Sequence, residues 1–72
     1  MNGTEDRLDV AAAVRAELGR RGKSQASLAR DMDVPQMWLN RRLRGEVALS
    51  VDELAAIARA LDMPVARLLG EA

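Results

Sequence analysis

Apolar residues recur along this chain at intervals of three and four, the spacing of one helix face turned toward a core. Leu8, Ala11, Val14 and Leu18 share one side of a first predicted helix running from about Thr4 or Glu5 to Arg20. Acidic residues lie near its start, where the helix dipole favours them. Gly22 ends it. Ser24 is a side-chain cap for a second helix through about Met32 that buries Leu28 and Ala29. Asp33 takes the turn that follows, because Asp tolerates a left-handed backbone better than most residues. Pro35 opens the third helix: its fixed φ suits the first turn, and its missing N–H would be unsatisfied there anyway. Gly45 closes that helix.

Ser50-Val51-Asp52-Glu53 is a capping box, in which Ser50 and Glu53 each satisfy an orphan backbone N–H of the other. Leu54, Ile57, Ala58 and Leu61 follow at helical spacing. Pro64 restarts the chain as a short fifth helix through Leu69, with Val65, Leu68 and Leu69 expected on the core, and Gly70 stops it. No linker, repeat or low-complexity run interrupts the pattern. The expectation is an all-α, compact five-helix domain over residues 1–72, with its core in 5–69 and only 1–4 and 71–72 loose.

Length and composition narrow the chemistry. A chain of 72 residues closes one modest core. It has no cysteine and no histidine, so a disulfide framework and the usual zinc sites are excluded, and no metal or cofactor is expected. The acidic residues are scattered at helix starts and surfaces rather than paired in a pocket, so neither catalysis nor a small-molecule substrate is expected. The first residues lack a basic flank followed by an apolar run, and no apolar stretch nears the roughly 20 residues of a membrane span. A cytoplasmic protein is the expectation, associated with the nucleoid of a bacterial host cell and away from any membrane.

Net charge is zero, but it is unevenly placed. Arg15 to Arg44 contains eight basic residues against three acidic ones, and the rest of the chain reverses the balance with three against eight. The molecule is polarised, with one cationic surface. Within that basic half, residues 24–44 read as two short helices joined by a tight turn, the second displaying long polar and cationic side chains. A helix held outward in this way fits the major groove of DNA and touches base edges.

Several residues in order now resemble a family: Ser24-Gln25, Leu28-Ala29, Val34, Leu39, Gly45, Leu54, Ile57, Ala60-Leu61 and Leu68-Leu69. They are similar to the Xre-type helix-turn-helix domains of phage Cro and repressor proteins, over about residues 8–69. The run Leu39-Asn40-Arg41-Arg42-Leu43-Arg44-Gly45-Glu46, followed by the Val51–Leu61 helix, looks most like the small Cro or immunity repressors of actinobacterial phages. The resemblance implies a lambda-repressor-like fold. Four positions depart from the common pattern. Asp33 stands where Gly is usual in the turn, Pro35 where the recognition helix usually has a Ser or Thr cap, and Leu43 where many members have Glu. Leu18 stands where several members carry a phosphate-binding Arg, so that role is not carried over.

By the same resemblance Gln25, next to the Ser24 cap, bonds a DNA phosphate and braces the recognition helix, while free N–H groups at this helix start face another phosphate. Gln36 and Met37 open the third helix, where side chains reach deepest. Gln pairs bidentately with adenine, and Met offers an apolar surface to a thymine methyl. Asn40 and Arg41 lie one turn further along the same face. Arg41 is suited to guanine O6 and N7, and Asn40 to adenine or a phosphate. Trp38 has two readings: packing beside Leu54, or giving its indole N–H to a phosphate. Lys23, Arg42 and Arg44 are assigned to phosphates. For each polar residue the alternative is plain solvated surface, and for Met37 it is core filling. Leu28, Ala29, Leu39, Leu54, Ile57, Leu61 and Leu68 are read as core alone.

These readings converge on a sequence-specific, double-stranded DNA-binding transcriptional regulator, a Cro-like repressor occluding a promoter. So small a domain offers few base contacts, so two copies on a pseudo-palindromic operator are expected, with half-sites about 10 base pairs apart; the alternative is a monomer on an asymmetric site. The rival from another class is an antitoxin, or another protein-interaction module of the same fold. Such antitoxins commonly carry an extra segment that wraps the toxin, and this chain stops two residues after Gly70.

Overall fold

The computed structural model describes residues 3–70, with side chains from Val10 onward. Five helices follow in order: α1 (Gly3–Arg21), α2 (Gln25–Met32), α3 (Gln36–Leu43), α4 (Val51–Ala60) and α5 (Val65–Leu68). There is no strand among the described residues. No helix among them is long and apolar enough to cross a membrane.

The helix starts use two devices. Ser24 accepts a hydrogen bond from the Ser27 backbone N–H at 3.0 Å. At α4 the capping box is complete, with Ser50 Oγ accepting from Glu53 N and Glu53 Oε1 accepting from Ser50 N, both at 3.0 Å. Pro35 and Pro64 stand one position earlier than the sequence predicts. Each is the residue before its helix, with ψ near 140°. The proline φ fits that place as well as the first helical turn, and the extended ψ is what a residue ahead of a helix requires.

Helix ends share one device. In α1 to α4 the residue after the last turn has positive φ, and its N–H and the next one bond back to carbonyls three and five residues earlier. Gly22 and Gly45 fill this position after α1 and α3, while Asp33 and Asp62 fill it after α2 and α4. The turn between α2 and α3 is fixed this way: Asp33 has φ 58°, and Val34 N donates to Ala29 O at 3.0 Å.

One core joins the helices. Val14 and Leu18 of α1, Leu28 and Ala29 of α2, Leu39 and Leu43 of α3, and Leu54, Ile57 and Ala58 of α4 are buried together with Leu61 and Leu68. Each large side chain removed from water contributes about 1.5–3 kcal/mol before entropy is counted. α3 packs against α1 and α2, and α2 against α4, while α5 closes on α1 and α4. Leu8 was expected on this face; its side chain lies outside the described residues. Leu69 corrects another expectation: it is 55% exposed, whereas Leu68 is 3% exposed. Leu69 is the residue that follows the last turn of α5, and successive residues point about 100° apart, so with Leu68 turned inward its neighbour faces out.

Arginines stitch the ends of α1. Glu17 is 5% exposed and accepts from Arg20 at 2.5 Å and from Arg21 Nε at 2.7 Å. The hydrogen bond from Arg21, and after it that from Arg20, lowers the Glu17 carboxyl to a pKa of about 2. Arg21 also donates to the Leu61 carbonyl, tying α1 to the end of α4. Arg15 donates to the Leu43 carbonyl at the end of α3.

Candidate nucleic-acid interface

The inward face of α3 is set by Leu39 and Leu43, both fully buried. Helical geometry then sends Met37 and Arg41 the other way and puts Asn40 at the flank, while Gln36, three residues before Leu39, lies toward the leucine side at the first position of the helix. Gln36 and Met37 are exposed, Met37 by 65%, and the Arg41 side chain is 54% exposed. Asn40 is half-buried, and its Oδ1 is buried without a hydrogen-bond partner among the described residues. Of the sequence-predicted base readers, Met37 and Arg41 therefore share the outward face, Gln36 is open to solvent at the helix start, and Asn40 is partly sunk at the flank.

The start of α3 has no side-chain cap. Its first backbone N–H groups point outward unpaired by the helix itself, which makes this end a partial positive charge. α2 begins with Ser24 accepting from Ser27 N and with Gln25 half-buried.

Each of the predicted DNA-facing cations has a carboxylate neighbour, but they differ in how deeply they are sunk. Lys23 Nζ lies 2.6 Å from Asp31 Oδ2 and 3.1 Å from Ser27 Oγ, so it is drawn along α2. Arg42 was expected at a phosphate, yet its side chain is only 16% exposed and its contacts are within the molecule. Its guanidinium lies 3.9 Å from the Trp38 ring centroid, donates to the Trp38 carbonyl at 3.1 Å, and pairs with Glu53 at 3.3 Å. Trp38 itself is half-buried against the core, in keeping with the packing reading. The backbone N–H of Ser50, and after it Arg42, holds the Glu53 carboxyl below the ordinary carboxylate range against the opposing effect of burial. Arg44 is 59% exposed, with its Nε 2.9 Å from Glu46 Oε2. The other oxygen of Glu46 lies 3.8 Å from Arg41 Nε.

Sequence reasoning missed three participants. Glu53 was legible as a helix cap, but its second link, to Arg42, spans eleven residues and joins α3 to the start of α4. Arg15 reaches α3 across 28 residues. Glu46 sits beyond the helix end, where helical spacing no longer says which side chains meet; the left-handed Gly45 turn brings it back over Arg41 and Arg44.

Residues 14–68 match a family model described as helix-turn-helix. Among solved structures, the crystal structure of the clp gene regulator ClgR from C. glutamicum is similar. The two are 30% identical, the match covers 88% of this chain and 82% of that one, and the TM-score is 0.83. No curated protein sequence matches the chain.

Proposed function

The chain belongs to the helix-turn-helix family, and from that premise we propose that it is a sequence-specific transcriptional regulator that lays α3 in the major groove of an operator. The observation that carries this reading is the division of α3. Met37 and Arg41 stand out opposite the buried Leu39 and Leu43, and Gln36 is exposed at the helix start beside them in sequence. The groove is about 12 Å wide and accepts a helix presented this way. The similar ClgR chain is described as a gene regulator, which agrees in class.

In this reading Arg41 takes guanine O6 and N7, Gln36 takes adenine, and Met37 covers a thymine methyl. Asn40, partly sunk, holds an adenine edge or a phosphate close to the helix. Gln25, the α2 start at Ser24, and Arg44 meet phosphates and set register. Lys23 adds charge from its place beside Asp31. Arg42 and Trp38 support α3 from behind rather than reaching the backbone of DNA. The protein acts as a Cro-like repressor in the bacterial cytoplasm by occluding a promoter, with two copies on a pseudo-palindromic site. The exposed Leu69 offers apolar surface for contact between the copies.

The test is selection of bound sites from random duplexes, repeated with Arg41→Ala. The expected result is an enriched inverted repeat, and a loss of about 1–3 kcal/mol for the variant concentrated at one base position. An even loss over all sequences would demote Arg41 to a backbone contact. Recovery of a stoichiometric protein partner with no enriched duplex would favour the antitoxin reading instead.

A further inference from the structure

Glu46 stands in an unusual relation to the two exposed arginines of the recognition helix. Its own backbone is fixed. Glu46 N donates to the Arg41 carbonyl at 2.9 Å, Gly45 N donates to the Arg42 carbonyl at 3.1 Å, and Gly45 adopts φ 79°. That turn carries the carboxylate back along α3, where one oxygen meets Arg44 at 2.9 Å and the other faces Arg41 at 3.8 Å. All three side chains are about half exposed, at 48% for Glu46, 54% for Arg41 and 59% for Arg44. Nothing in the core depends on them, so the arrangement answers to what approaches from solvent.

We infer that Glu46 is an internal competitor for DNA: its carboxylate occupies Arg41 and Arg44 in the free protein, and a duplex binds by exchanging these ion pairs for contacts of its own. The inference rests on the reading of α3 as the groove helix. A phosphate or guanine edge offers Arg41 and Arg44 a new acceptor, but the carboxylate they leave must be rehydrated and then sits beside a polyanion. The exchange weakens binding to every duplex, matched or unmatched. It also lessens the dependence on salt, because the freed carboxylate gathers a cation while the DNA releases one. Glu46 thus sets how tightly the domain holds DNA, leaving which sequence it prefers to the outward side chains.

The test compares the full chain with Glu46→Gln on two duplexes, one taken from the selection and one of unrelated sequence, titrated over a range of salt. From the ordinary strength of two exposed pairs, Glu46→Gln is expected to bind both duplexes about 3- to 10-fold more tightly. Its log–log salt slope should steepen by about 0.9, the value of one extra phosphate neutralised. A second comparison places Glu46→Gln in a chain already carrying Arg41→Ala and Arg44→Ala, where the gain should nearly vanish. Unchanged or weaker binding by Glu46→Gln, when the wild-type chain binds, overturns the inference and leaves the regulator reading intact. A gain that persists without the two arginines also overturns it, since Glu46 would then act by plain repulsion. If neither protein binds either duplex at low salt, the regulator reading falls as well.

Discussion

Arg42 lies over the Trp38 ring, its guanidinium carbon 3.9 Å from the ring centroid, and the same side chain reaches Glu53 at the start of α4. A cation over an aromatic face contributes about 0.5–1 kcal/mol when exposed and about 2 kcal/mol when desolvated. At 16% exposure Arg42 approaches the second case, and Glu53 accepts from its Nε and the Trp38 carbonyl from its Nη1.

Arg42→Ala therefore tests stability rather than recognition. It should lower the unfolding free energy by about 1–2 kcal/mol in urea. The fluorescence of Trp38 should move to longer wavelength as water replaces the guanidinium. The salt slope of DNA binding should stay that of the wild type. A slope reduced by about 0.9 would instead return Arg42 to the phosphate contacts.

Asp33 holds a left-handed backbone, φ 58°, in the turn that sets α3 against α2. Glycine adopts this conformation without steric cost, whereas a β-branched side chain does not. Asp33→Gly should raise the thermal midpoint by an amount equivalent to at most about 1 kcal/mol. Asp33→Val should lower stability by about 1–3 kcal/mol. Both are read by thermal melting, with the helix content of the folded state unchanged.

Glu17 gives the chain an acid-sensitive joint. Its carboxyl titrates at about 2 in the folded protein, held down by Arg21 and Arg20, against 4.5 for the free side chain. A depressed folded pKa means that the unfolded chain takes up a proton first as pH falls. Its stabilising contribution is therefore complete above about pH 4.5 and is lost between there and about pH 2. Urea titrations over this interval should show wild-type stability falling toward that of Glu17→Gln, with the two curves meeting near the lower end. Parallel curves would contradict the role given to Arg20 and Arg21.

Local signals were readable from the chain in advance because their causes are local. Ser50 and Glu53 cap each other across three residues, and Gly22 and Gly45 end helices through their own φ. The inward set of α3 followed from spacing, since Leu39 and Leu43 share a face. What escaped was decided by chain segments far apart in sequence. Leu68 and Leu69 are alike in kind, and only the docking of α5 says which one is covered. Arg42 and Arg44 looked equivalent as cations, but α4 lies beside the first and solvent beside the second. Proline 35 was displaced by one position because its φ is shared by the residue ahead of a helix and by the first residue within it.

The turn between α2 and α3 is closed by main-chain bonds, and α3 is anchored through Leu39 and Leu43 on the side away from solvent. The side chains at positions 36, 37 and 41 consequently lie outside the buried core. Under the proposed function, a lineage can rewrite those letters, and with them the address being read, while the scaffold that presents them stays as it was.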